Sequence, residues 1–276
     1  MINKELEQTL VLIKPDALRN SLTGYILSQL SEYHSGLRFA ATKVIHVSPM
    51  LARQHYAEHI DKPFYPALQA YITGVDHYPD QAWKRRVIAI IFQGPDAVKK
   101  IRQIVGPTNP HRAREEKPGS IRALGTVVQI KDKSGNIVGD RLDNLIHASA
   151  TEEEAEREIK LWFKPRDIPP AMRAYATEES RDHYYINGGR LAINYTPGSI
   201  CVLAPGDVAW KSDLTALRLL LKGAASPCPL EAVVAKYLIN DQRDLGPEKP
   251  PEKQKWLWKA VGLIGGGIRR LLSARG

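Results

Sequence analysis

At 276 residues, with 43% hydrophobic and 25% charged side chains, the chain has ordinary globular usage and Leu, Ile and Val enough for two cores. Its two distant cysteines, Cys201 and Cys228, speak against a disulfide framework or a zinc site; MINKELEQTL is no secretory signal and no run of ~18 apolar residues occurs, so a soluble cytoplasmic protein is expected. The formal charge of +9 fits nucleotides, nucleic acid or an anionic membrane surface and does not choose among them.

Residues 8–14 (QTLVLIK) form an apolar run ending in Lys14-Pro15-Asp16, and a periodic segment from about Thr23 to Tyr33 follows, which reads as strand, turn, helix. Leu37 to Val47 reads as a second strand, leading to a helical stretch from Pro49 to about His59. Residues 64–73 read as helix, 86–93 (RVIAIIFQ) as a buried strand and 95–105 as helix. Strands alternating with helices predict an α/β sandwich, helices packed on a sheet. From Gly106 to Ser120 the composition (GPTNPHRAREEKPGS) reads as a long loop of the functional kind. Residues 126–139 predict a hairpin turning at Asp132-Lys133-Ser134-Gly135. Thr151 followed by Glu154 predicts a capping box for a helix that runs to Phe163 and stops at Lys164-Pro165.

A boundary near 164–172 (KPRDIPPAM) closes a first domain over residues 1–164. Residues 165–242 read as a small mixed extension, with strand-like runs (RLAINY, SICVLA) and two helical stretches split by Ser226-Pro227-Cys228-Pro229. Residues 243–276 read as a basic Pro-rich linker and an amphipathic tail. In the tail Leu257, Val261, Ile264, Ile268 and Leu271 share one helical face, beside Trp256, Trp258 and four cations, although Gly265-Gly266-Gly267 disfavours helix. Residues 255–273 therefore read as a contact for protein or for a membrane surface, which would make the molecule peripheral to a membrane.

Of the eight histidines, His147 stands just before a helix start, in Asn144-Leu145-Ile146-His147-Ala148-Ser149-Ala150. A largely neutral imidazole can attack phosphorus directly and split one transfer into two easier steps. It needs a partner for its other ring nitrogen, and Glu158 in the following helix is the candidate. Spacing alone does not set this pair apart from a solvated carboxylate and a chance histidine.

Read together, the motifs say more. Lys14-Pro15-Asp16, His55-Tyr56-Ala57-Glu58-His59, Lys62-Pro63-Phe64-Tyr65, Gly106-Pro107-Thr108-Asn109-Pro110, Pro118-Gly119-Ser120-Ile121-Arg122 and Asn144 to Ser149 occur in this order. Over residues 7–164 the chain thereby resembles the nucleoside diphosphate kinases. The resemblance implies a ferredoxin-like βαββαβ antiparallel sheet covered by helices, with the mixed extension appended. It implies that His147 takes the phosphoryl group, that Glu158 orients it, and that Tyr56 and Ser149 stand beside it. Lys14 and Asn144 would hold the ribose hydroxyls, Lys14 also lying near the transferred group. Arg102, Thr108 and Arg122 would grip phosphates, and Phe64 would stack on the base. Stacking on one ring tolerates any base, and guanidinium forks match phosphate geometry. Without a G-x-x-x-x-G-K-[ST] loop, side chains hold the phosphates, and Mg²⁺ arrives on them with no protein metal site.

The sequence departs from the family at two insertions, 74–85 and 126–143, which border the site and lengthen the connection delivering Asn144 and His147. Ala148 and Ala150 stand where the family usually carries Gly and an acidic residue. The expected activity is ping-pong transfer between ATP or another nucleoside triphosphate and a diphosphate, by a homo-oligomer built on a dimer. The alternative is a catalytically weak nucleotide-binding regulatory or scaffold protein whose extension carries the partner or membrane contact. Nucleic-acid binding has only charge behind it.

Overall fold

The computed structural model describes residues 7–131, 134–226 and 228–238. The chain forms two compact units, Met1–Tyr175 and Ala176–Gly276.

The first unit is built on β1 (Gln8–Ile13), β2 (Arg38–Ile45), β3 (Val87–Gln93) and β6 (Ile146–Ala148), in the order β2-β3-β1-β6 and antiparallel throughout. This is the ferredoxin-like βαββαβ sheet, with β4 (Thr126–Lys131) and β5 (Ile137–Asp143) paired as a separate hairpin before the last strand. Every residue of β1 is buried, as a central strand covered on both faces requires. Val11, Ile13, Ile90 and Phe92 face one layer, packing with residues of α2 (Thr23–Gln29) and α6 (Ala97–Val105). The opposite face of β1 receives α8 (Glu152–Trp162), against which α4 (Pro49–His55) packs.

Local chemistry explains most boundaries. Pro15 opens α1 (Pro15–Arg19), where its missing N–H costs nothing, and the predicted 23–33 helix divides into α2 and α3 (Glu32–Ser35) at the cap Ser31, which accepts from the His34 N–H. α5 (Tyr65–Ile72) lies where 64–73 predicts it. The stretch expected as a loop, 106–120, instead contains α7 (Pro110–Glu116), capped by the Asn109 side chain on the His111 N–H with Pro110 at its first position. Thr151 caps α8 through the Glu154 N–H, but the Glu154 carboxylate returns to the Ala150 N–H, one residue before the position a capping box uses.

In the second unit β7 (Thr177–Glu179) pairs with β11 (Val208–Trp210), and β8 (Tyr184–Asn187) lies between β9 (Arg190–Ala192) and β10 (Ile200–Leu203). Gly188 and Gly189, both at positive φ, make the tight β8–β9 turn. α9 (Lys211–Leu221) and α10 (Leu230–Leu238) pack together around Asp213, whose carboxylate binds Lys236 Nζ at 2.5 Å and the Tyr237 hydroxyl at 2.8 Å. No helix among the described residues is long and apolar enough to cross a membrane. The predicted tail contact, 255–273, lies outside the described residues.

Candidate active site

The side-chain alternation of β6 decides where His147 points. Ile146 and Ala148 enter the core beneath α6, so His147, paired in register with Leu12, faces the opposite layer, where α8 and α4 lie. There its Nε2 meets Glu158 Oε2 at 2.8 Å. Ser149 Oγ donates to the same oxygen at 2.7 Å and accepts the Leu10 N–H, anchoring the carboxylate to β1. Burial resists the Glu158 charge, but the His147 ring, its hydrogen bond, His55 and Ser149 outweigh that and hold the carboxyl down to about 2. A carboxylate on Nε2 places the ring hydrogen there and leaves the lone pair on Nδ1. Among the described residues that nitrogen has no hydrogen bond.

His55, quoted from the sequence only within the motif His55–His59, was given no role there. Its ring lies 4.6 Å from that of His147, nearly perpendicular, and its Nδ1 accepts the Trp162 indole N–H at 3.2 Å. Burial, with His147 next, lowers its pKa to about 3, so it is a neutral wall behind the His147 ring. One donor atom each from His55, His147 and Glu158 lie within 4.8 Å of one another, a spacing a metal ion could span. Within the trio only His147 and Glu158 are hydrogen-bonded to each other, while His55 is held by the Trp162 indole and touches the His147 ring edge-on. Tyr56 touches His55 edge-on and stacks with His59, whose ring meets Phe64. Phe64 is 51% exposed, which rules out a core role and leaves a rim platform.

A second group assembles around Lys14, a buried residue rather than an exposed strand end. Its ammonium donates to Asn144 Oδ1 and lies 4.2 Å from the centre of the Tyr71 ring. Burial, with Arg122 adding to it and Asp16 opposing, lowers its pKa to about 7. The Asn144 amide donates to the Thr108 carbonyl, and its backbone N–H donates to the Tyr71 hydroxyl. That hydroxyl in turn donates to Asp16, which also accepts the Leu145 N–H at 2.8 Å. Leu145 stands at φ +68°, a strained position for a branched residue, in the turn that aims His147.

Arg122 is buried, and four of its five N–H groups are engaged: two on the Ile146 carbonyl, two on the Gly106 carbonyl and Thr108 Oγ1. It ties the 106–108 turn to the His147 strand and keeps one N–H uncommitted among the described residues. Burial and the nearby Arg102 lower its pKa to about 10. Arg102 itself, on exposed α6 surface, has no hydrogen bond or ion pair among the described residues. The fold thus brings together His147, Glu158, Ser149 and Tyr56 on one side and Lys14, Asn144, Thr108 and Arg122 on the other, with Arg102 and Phe64 at the rim. Tyr71 escaped the sequence reading, and Asp16, quoted there only within Lys14-Pro15-Asp16, was given no role.

The family model described as nucleoside diphosphate kinase matches residues 7–168. The chain is 37% identical to the nucleoside diphosphate kinase of Thermus thermophilus over 163 residues, 59% of this chain and 99% of that protein. It is 42% identical to that of Mycolicibacterium smegmatis over 157 residues, 57% of this chain and 94% of that protein. Among solved structures, the Halobacterium salinarum nucleoside diphosphate kinase in complex with CDP is 33% identical, covering 59% of this chain and 91% of that one, with a TM-score of 0.45.

Proposed function

Because the chain belongs to the nucleoside diphosphate kinase family over residues 7–168, we propose that it moves the γ-phosphoryl group of a nucleoside triphosphate to a diphosphate through a phosphohistidine at His147. The observation that carries this is the bond from His147 Nε2 to the buried Glu158, which leaves Nδ1 as the free nucleophilic nitrogen. In the first half-reaction Nδ1 bonds to the γ-phosphorus as the bridging oxygen leaves with the diphosphate. Glu158 offsets the charge that the ring acquires. The second half-reaction runs in reverse on a different diphosphate. Arg102, the remaining N–H of Arg122 and Lys14 supply positive charge for oxygens that become more negative in the transition state. Lys14 and Asn144 hold the ribose, and Phe64 offers its exposed face to any base.

Mg²⁺ fits this site as cargo on the phosphates. The ion demands oxygen ligands, and the groups facing the nucleophile are cations, imidazoles and a carboxylate already bonded on its Oε2. The kinase module lies in the first unit, acting in the cytoplasm as an oligomer built on a dimer, with residues from 176 onward an addition to it.

Incubation with γ-labelled ATP should give an acid-labile, base-stable phosphoprotein, lost in His147→Ala. Label that survives the substitution would refute the assignment. Nucleotide binding without any label in the unaltered chain would favour the regulatory alternative.

A further inference from the structure

Residues 74–85 and 126–143, the segments the sequence reads as insertions into the family frame, meet beside Lys14 and Asn144. From the first, 74–85, His77 Nε2 reaches Asp143 Oδ2 at 3.0 Å, and Asp76 meets Arg141 at 3.2 Å. From the second, 126–143, Arg141 Nε holds Asp143 Oδ1 at 2.7 Å. The His77 and Asp143 side chains are only 3% and 10% exposed, so this is no solvated surface pair, whose worth would be slight. Asp143 directly precedes Asn144, and the His77 ring lies 5.2 Å from that of Tyr71, whose hydroxyl holds the Asn144 N–H. The base of the β4–β5 hairpin is closed as well: a Cβ at Gly125 would stand 2.6 Å from the Asp143 carbonyl oxygen, which keeps the chain leaving Arg122 against the chain entering Asn144.

We propose that the two insertions form a clamp, Asp76–Arg141–Asp143–His77, that fixes Asn144 and through it Lys14, making His77 and Asp143 positioning residues for the nucleotide's ribose. The lengthened connection before Asn144 would otherwise leave this pair free to shift, and a displacement on the order of 1 Å in a supporting group is enough to spoil a site. The clamp substitutes a cross-link between insertions for a short connection. This inference rests on the nucleotide reading of the Lys14–Asn144 pair, though not on the phosphohistidine.

The test uses the full chain and calorimetric binding of ADP and of 2′,3′-dideoxy-ADP, which needs no chemistry. For the unaltered chain the ribose hydroxyls should strengthen binding by about tenfold. His77→Phe, which keeps a ring and removes the donor, should erase most of that ratio while dideoxy-ADP binds within about twofold of its original affinity. His77→Gln, which restores a donor, should recover it. Arg141→Met, at a half-buried position, should lower the ratio in the same direction and serves if His77→Phe fails to fold. In the Asn144→Ala background His77→Phe should change nothing further. An unchanged ratio in both His77→Phe and Arg141→Met, or equal losses for the two ligands, would overturn the clamp. Absence of any ADP binding in the unaltered chain would overturn the nucleotide reading and the clamp together; ribose-dependent binding without phosphoprotein would overturn only the nucleophile.

Discussion

Ser149 Oγ and His147 Nε2 converge on the same Oε2 oxygen of Glu158, at 2.7 and 2.8 Å. A buried carboxylate pinned by two donors cannot turn away from the imidazole, so it fixes the tautomer, the ring plane and the charge beside His147 at once. Glu158→Gln keeps the shape and removes the charge. It should lower kcat on the order of 100-fold while KM for nucleotides moves by less than about threefold, because the lost interaction strengthens only as the ring becomes cationic. Steady-state kinetics decides it; a matching rise in KM would place Glu158 in nucleotide binding. Ser149→Ala, which leaves the His147 bond, should cost roughly tenfold or less.

Lys14 gives nucleotide binding a proton signature. Burial brings its pKa to about 7, so it is charged below that pH and neutral above it in the free protein. Phosphates favour the charged form, so binding above about pH 7 should take up a proton, approaching one per nucleotide near pH 8. Calorimetry in buffers of different ionisation enthalpy measures the uptake, and Lys14→Met should abolish it. Uptake that survives in Lys14→Met would assign the proton to another group.

Two groups in the same cluster set the acid limit. His55 titrates at about 3 in the fold against 6.5 in the unfolded chain, so between those values only the unfolded state binds its proton and stability falls as pH drops. Glu158 titrates at about 2 against 4.5, so its contribution is present above 4.5 and is lost as pH falls towards 2, again in the same direction. His55→Gln keeps an acceptor for Trp162 and removes the titration. It should flatten the pH dependence of the denaturation midpoint between 6.5 and 3 and leave the steeper fall below 4.5. An unaltered upper limb would show that His55 is not the titrating group.

Gly106 is required by its backbone. It stands at φ +84°, and an added Cβ would fall 2.3 Å from Ser120 Oγ, in the turn whose carbonyl holds Arg122 at 3.0 Å. Gly106→Ala should destabilise the fold by about 1–3 kcal/mol and weaken triphosphate binding, since the turn carries Thr108 towards the site. Thermal denaturation and a binding isotherm test both. A variant as stable as the parent would mean that the turn relaxes freely.

In the second unit Asp213 is the point of failure. Lys236→Ala strands a buried carboxylate and should cost on the order of 3–5 kcal/mol, whereas replacing Asp213 and Lys236 together by Leu and Met should cost far less. Hydrogen exchange across α9 and α10 reads the difference. Equal protection in the single variant and the parent would show that water reaches Asp213.

The sequence by itself determined the set of candidate residues. His147, Lys14, Asn144, Arg122 and Thr108 lie in short motifs whose order along the chain survives any insertion, Glu158 follows in the next helix, and the burial periods of β1, β3 and α6 follow from their apolar spacing. The start of α7 was also written there, in Asn109-Pro110, but the polar run after it masked the signal because a solvated helix buries little. What only the tertiary structure decided are relations between side chains remote in the chain: the wall that His55 makes against Trp162, the backbone ties that occupy most of Arg122, and the joining of segments 74–85 and 126–143 through His77 and Asp143. Each joins residues 16–107 positions apart, and such pairings leave no local pattern, since they arise when a sheet and its helices bring the segments to one place and burial makes an unpaired charge or donor costly.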